Sequence, residues 1–203
     1  PASVQSLDGL GPLFNAISCG SCHFKDGRAQ PPGTPEQPLN GLLFRLSIPG
    51  TDDHGGPLGD PVYGGQLQDK AILSVQNEGS VRVSYQETGG AYADGTSYSL
   101  RRPVYEFHDL HYGDFAPGWM YSPRIAPQMP GLGLLEIVPE ADLLAWADEN
   151  DADKDGISGR ANFVWEIETQ QMVLGRFGWK ANQPSLLQQT AGAFNGDIGI
   201  TTS

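Results

Sequence analysis

The sequence predicts a mainly α chain with a β-rich insertion, an α+β fold rich in loops. Three observations lead there. Leu10, Leu13, Phe14 and Ile17 recur at i, i+3, i+4 and i+7, one apolar face of a helix. Ser80-Val81-Arg82-Val83-Ser84-Tyr85 alternates strictly, as a half-buried strand does. Gly and Pro, 27 and 16 of 203 residues, make about a fifth of the chain, above ordinary usage yet short of low complexity.

Each element follows in chain order. Pro12 is tolerated in a first turn, so a helix of about two turns is expected from Leu10 to Ile17. Residues 26–78 read as a loop-rich insertion, punctuated by Pro31-Pro32-Gly33, Pro49-Gly50 and Gly55-Gly56-Pro57. An apolar knot, Leu42-Leu43-Phe44-Arg45-Leu46, interrupts it. Residues 79–112 read as the β-rich insertion. They hold the alternating run, a turn at Ala93-Asp94-Gly95, and an extended run from Tyr98 to Phe107 whose middle Pro103 confines to an edge. A short helix is expected over 139–148, opened by Pro139, with Leu143, Leu144, Trp146 and Ala147 on its apolar face. Residues 163–180 read as a hairpin or two short strands. No internal repeat is found.

Composition excludes several classes. Lys+Arg is 12 and Asp+Glu is 24, a formal charge of −12, which is unsuited to a phosphate-backbone binder. No nucleic-acid partner is expected. No run of eighteen apolar residues is present, so no membrane span is expected. There is no charged region followed by an apolar stretch at the start, and the chain opens at Pro1 as a processed or trimmed product would.

The two cysteines stand in Cys19-Gly20-Ser21-Cys22-His23, the pattern of c-type haem attachment. The thiols add across the two vinyl groups, whose separation matches the two-residue gap, and the adjacent histidine becomes the proximal iron ligand. An amphipathic helix running into the motif would give a cytochrome-c-like haem domain. Two other chemistries share these residues. Zinc could take Cys19 and Cys22 with His108 and His111, although structural zinc favours a wider histidine spacing. A redox dithiol would follow a buried strand, whereas the approach here reads as helical. Haem is the preferred reading. Covalent attachment of this kind takes place outside the cytoplasm, so the chain is expected to be periplasmic or otherwise exported.

A second cluster is Asp148-Glu149-Asn150-Asp151-Ala152-Asp153-Lys154-Asp155-Gly156. Asp151, Asp153, Asp155 and Gly156 fit D-x-D-x-D-G, the opening of a calcium loop. The twelfth position is Asn162 rather than a bidentate glutamate, so an EF-hand is not formed. The acids follow a predicted helix C-terminus, where negative charge is disfavoured unless a cation offsets it. The alternatives are a calcium site and a solvated acidic turn.

Motifs along the chain resemble the di-haem oxidoreductases, also called thiol oxidoreductases, relatives of bacterial di-haem cytochrome c peroxidases and MauG. They are Leu10-Gly-Pro-Leu-Phe-Asn15 before Cys19–His23, Asp60-Pro-Val-Tyr-Gly64 with Gln66-Leu-Gln68, and Leu100-Arg-Arg-Pro103. There follow Ser122-Pro-Arg-Ile-Ala-Pro127, Gly131-Leu-Gly-Leu-Leu-Glu136, Asp155-Gly-Ile-Ser-Gly-Arg160, Gly175-Arg-Phe-Gly-Trp-Lys180 and Asp197-Ile-Gly-Ile-Thr201. The resemblance implies a peroxidase-like oxidoreductase that takes electrons from a donor protein, or gives them to an acceptor, and uses a small oxidant such as peroxide. It also implies a second C-x-x-C-H site in a C-terminal haem domain. No cysteine follows Cys22, so residues 1–203 are expected to be the N-terminal haem domain, with the second domain as its partner.

In such relatives a carboxylate beside the N-terminal haem assists O–O cleavage. The resemblance makes Glu136 the acid, with Arg124 as a second catalytic candidate. Glu136 could instead cap the 139–148 helix or pair with Arg124. Arg124 and Arg176 are candidates for the haem propionates, which a guanidinium grips bidentately. Candidates for a sixth iron ligand are Met120, Met129, His54, His108 and His111. Trp179 is either a core anchor or a step on an electron path. An occupied sixth position would make a non-catalytic electron carrier; an open one suits a peroxidase or a haem-dependent oxygenase.

Overall fold

The computed structural model of the protein describes residues 10–200. Among these residues eight strands pair into four separate two-stranded antiparallel sheets. β1 (Leu13–Phe14) pairs with β3 (Lys70–Ala71), and β2 (Leu42–Ser47) with β6 (Met120–Ile125). β4 (Ser80–Ala91) pairs with β5 (Ser97–His108), and β7 (Phe163–Glu166) with β8 (Gln171–Leu174). The α-helices are α1 (Cys19–Cys22), α2 (Leu132–Glu136), α3 (Glu140–Ala145) and α4 (Leu186–Ile198). Thr201, the end of the Asp197–Thr201 motif, lies outside the described residues.

This β-rich architecture corrects the expected mainly α, cytochrome-c-like fold. The apolar stripe at Leu10–Ile17 does not form a helix. Phe14 is buried, but Ile17 points to solvent with 66% of its surface exposed. Leu13 and Phe14 lie opposite Ala71 and Lys70 in a short ladder. The backbone N–H groups of Asn15 and Ala16 both donate to the Asp197 carbonyl, each at 2.9 Å. Gly11 permits this docking: a Cβ there would lie 2.0 Å from the Gly199 carbonyl oxygen. The stripe is therefore a flat contact strip for the end of α4.

The core lies between β2 and the β4–β5 hairpin. Leu42, Phe44 and Leu46 are buried on one side of β2, with Val81 and Val83 from β4 and Tyr63 and Leu67 from the connecting loop. The knot seen in sequence is thus the central strand. Its period-2 pattern buries every second side chain. The Phe44 ring meets Tyr105 and Phe107 edge-on, with centroids 5.1 and 5.3 Å apart, a favoured aromatic geometry. In the β4–β5 turn Gly95 adopts φ +86 and Thr96 donates to the Asp94 carboxylate, the left-handed position such hairpins give to glycine.

α3 lies within the helix expected at 139–148, yet Trp146 is exposed rather than part of a buried face. β7 and β8 are the hairpin expected over 163–180. α4 was not anticipated. Ser185 opens it by accepting the Gln188 N–H, and Gly199 closes it at φ +74. None of the described helices is long and apolar enough to cross a membrane.

Candidate functional site

Cys19–Cys22 form a single helical turn, closed by the His23 N–H donating to the Cys19 carbonyl at 2.8 Å. His23 then projects toward the segment after β6. Its Nδ1 lies 2.7 Å from the Pro127 carbonyl oxygen. A carbonyl only accepts, so Nδ1–H donates and Nε2 is the ring nitrogen left to face outward. A bond of this kind from the far ring nitrogen to a carbonyl is how proteins orient a metal-ligating imidazole. Burial pushes the Cys22 thiol up; nearby Asp197 and Asp69 add to this, and Lys70 and a Gly41 backbone bond oppose it.

The Pro127 segment is stitched in place from several sides. Ala126 donates to Gly41 at 2.8 Å, Ala29 to Ala126 at 3.0 Å, and Met129 to Asp26 at 3.0 Å. The Trp179 indole N–H donates to the Ile125 carbonyl at 2.6 Å, and Arg28 bonds Gln128 while stacking over the Trp179 ring. Trp179 is therefore a half-exposed strut and not a core anchor. Beside the Cys19–Cys22 turn, Ile17 and Phe24 leave 66% and 68% of their surfaces uncovered. Two thiols with two residues between them, an oriented imidazole and bare apolar side chains suit a flat, apolar haem in chemistry.

The other predicted residues sit elsewhere. Arg124 lies on β6 opposite Leu43, half-buried. Glu136 accepts the Leu186 N–H at 2.8 Å and so caps α4, not the helix after it. No ion pair joins Glu136 to Arg124 among the described residues. Arg176 donates to the carbonyls of Glu136 and Val138 at 3.2 and 2.5 Å, tying together the end of α2 and the start of α3. Glu136 and Arg176 are thus brought together and Arg124 is not joined to them.

Asp148, Asp151 and Asp153 bring carboxylate oxygens within 4.8 Å of one another. Asp155 is outside this trio; its carboxylate accepts the Ile157 N–H. A pair of backbone bonds between Asp148 and Gly159 closes the loop. The zinc alternative does not assemble. Among the described residues, this aspartate trio is the group of potential metal ligands that converges. His108 bonds Asp109 and His111 bonds the Asn77 carbonyl. His54 stacks on Trp165 at 4.0 Å. Met120 begins β6, and Met129 lies two residues beyond Pro127.

A family model described as "Di-haem oxidoreductase, putative peroxidase" matches residues 1–203, the whole chain. The chain belongs to the di-haem oxidoreductase family. No curated protein and no solved structure matches it. Membership of a di-haem family implies haem binding, and this di-haem oxidoreductase chain carries one C-x-x-C-H motif.

Sequence reasoning missed four partners in this di-haem oxidoreductase chain. Pro127 was visible only as part of a motif, because its contact with His23 spans 104 residues. Asp148 was seen among the acids but lies outside the D-x-D-x-D-G register. Asn15 and Gln66 are buried amides beside the attachment turn. Asn15 and Gln66 were visible only as members of the motifs Leu10–Asn15 and Gln66–Gln68, with no local pattern to join them.

Proposed function

We propose that this chain is an exported, periplasmic c-type haem oxidoreductase of the peroxidase type. The observation that carries the reading is the His23 Nδ1 bond to Pro127, made by the histidine of a C-x-x-C-H turn. Cys19 and Cys22 would hold the haem as thioethers, and His23 would ligate iron through Nε2. When bound, the haem supplies an iron centre that activates peroxide and passes electrons. The chain's own residues fix that centre. Pro127 sets the imidazole tautomer and ring plane, and Trp179 and Arg28 brace the segment carrying Pro127. Ile17 and Phe24 exclude water from one flank. Arg124, three residues before Pro127, is the better-placed propionate partner, since Arg176 is engaged with two carbonyls.

The partners in this reading are peroxide, a protein that donates or accepts electrons, and a second haem domain. The same chain would hold one hard cation such as calcium at Asp148, Asp151 and Asp153, whose oxygens suit it in type and spacing. Glu136 is assigned to capping α4.

The visible spectrum of the purified exported protein tests this, ferric and then reduced, with peroxide added at each stage. A high-spin ferric band that shifts with peroxide is expected. A low-spin spectrum indifferent to peroxide in both states would make the chain an electron carrier. A peroxide-silent but dioxygen-reactive open iron would make it an oxygenase. Absence of any haem band would overturn the proposal.

A further inference from the structure

Behind the attachment turn lies a buried polar network that the reading above does not use. Gln66 and Asn15 are its hubs, each about 5–6% exposed. Arg45 donates to Gln66 Oε1 at 2.8 Å, which fixes the carboxamide so that Nε2 faces inward. That nitrogen lies 2.8 Å from Asn15 Oδ1, 2.9 Å from Asp197 Oδ1 and 3.0 Å from the Gly196 carbonyl. Asn15 in turn donates to Asp69 Oδ1 at 2.8 Å and to the Leu67 carbonyl. Both amides thus present N–H groups to carboxylates, Asp197 at one end and Asp69 at the other. Lys70 sits 3.7 Å from Asp69.

The Asp197 backbone is pinned to the attachment strand by two bonds, from Asn15 and Ala16. Asp197 also stands in the last turn of α4, where local helix energetics disfavour an acid. Burial pushes the Asp197 and Asp69 carboxyls up, while Gln66, Arg45 and His23 on one side and Lys70 and Asn15 on the other favour their ionised forms; both carboxylates help push the Cys22 thiol up. Partly desolvated charges act over longer distances than exposed ones, because less water screens them. In its ionised form a carboxylate packed behind the C-x-x-C-H motif raises the cost of adding an electron to an iron held there.

We propose that the Asp197 carboxylate, with Asp69 beside it, sets the redox potential of the haem held at His23, keeping it low. The inference rests on the haem reading. Asp197 is a positioning residue for charge, not a ligand. Arg45 and Lys70 act in the opposite sense at the outer ends of the network.

The test is a spectroelectrochemical titration of the haem-loaded protein. Asp197→Asn and Asp69→Asn should raise the midpoint potential, and Arg45→Gln should lower it, with covalent haem content and circular dichroism unchanged. A folded, haem-loaded Asp197→Asn protein with the unsubstituted potential would overturn the inference. So would carboxylate and arginine variants that shift in the same direction, since that reports repacking and not charge. Should Asp197→Asn fail to fold, Asp69→Asn and Arg45→Gln still carry the sign test. If the unsubstituted protein holds no covalent haem, the haem reading itself has failed, a result separable from an unmoved potential.

Discussion

Two carboxylates buried near each other, Asp60 and Glu78, meet opposite fates. Burial pushes the Asp60 carboxyl up, but N–H donors from Ala116, Tyr63 and Val62 outweigh it and hold it below the usual carboxylate range. Its contribution to stability is present above the unfolded value of 3.8 and is lost as pH falls. Glu78 receives one backbone donor, Gln68 N–H at 2.6 Å, and burial, with Asp60 nearby, pushes it up to about 7. The folded form then binds the proton more tightly than the unfolded chain, whose value is 4.5. A destabilisation therefore grows as pH rises from 4.5 to about 7 and stays constant above. Glu78→Gln keeps an acceptor for Gln68 and removes the charge. It should stabilise the protein by roughly 1–2 kcal/mol at pH 8 and by nothing at pH 4. Urea unfolding across that range checks this; a gain independent of pH would refute it. Glu136 is the second residue to test. Glu136→Gln should cost about 0.5 kcal/mol through the lost charge at the α4 N-terminus, and Glu136→Ala about 1 kcal/mol through the lost cap. Peroxide turnover should follow the folded fraction in both. A fall in turnover for Glu136→Gln at unchanged stability would return it to the role of proton donor.

At the scale of elements, the meeting of residues 11–16 with the end of α4 deserves a direct perturbation. Gly11→Ala would force a methyl group against the Gly199 carbonyl, and such overpacking costs roughly 1–3 kcal/mol. Thermal unfolding should register the loss, and an unchanged midpoint would mean that the two segments do not pack as described. This junction also explains what the sequence could and could not tell. An i, i+3, i+4, i+7 pattern over eight residues is short enough to arise in a strip that is apolar on average, and the close approach of Gly11 to Gly199 that replaces the helix joins distant parts of the chain. The β4–β5 hairpin was legible because its alternation and its Asp94-Gly95 turn are local signals. The C-x-x-C-H motif was legible because it is written in five consecutive residues, and the haem attachment it suggests stands as the proposal above. The His23 partner and the Glu136 cap were not, since they join positions 104 and 50 residues apart, and no local pattern encodes such distances. The aspartate loop was half legible: Asp151 and Asp153 belong to the trio, while Asp148 replaces the expected Asp155. Asp153→Ala should weaken calcium binding by an order of magnitude or more in calorimetry, because each carboxylate supplies both charge and a ligand. Unchanged binding would exclude the loop as the site.

Across the whole molecule, cohesion is uneven. Among the described residues four two-stranded sheets are kept apart in hydrogen bonding, and the aromatic core gathers β2, β4, β5 and their neighbours. The Cys19–Cys22 turn has no buried residue of its own; it is tied down by His23 and by backbone bonds, while Ile17 and Phe24 beside it lack cover. A covalently held haem would supply that cover and link the turn to the rest of the chain. Covering apolar surface at about 25 cal/mol per Å² gives a contribution on the order of 2–4 kcal/mol. Replacing both Cys19 and Cys22 with serine should therefore do more than remove the haem band. The urea midpoint should fall, and binding of a hydrophobic dye should rise as the apolar flank stays open. The folded β4–β5 region should persist, because its core does not include the turn. A variant that keeps haem through denaturation would refute the attachment chemistry. One that loses haem while keeping the same midpoint and dye binding would leave the chemistry intact and show that the fold completes itself without its cofactor.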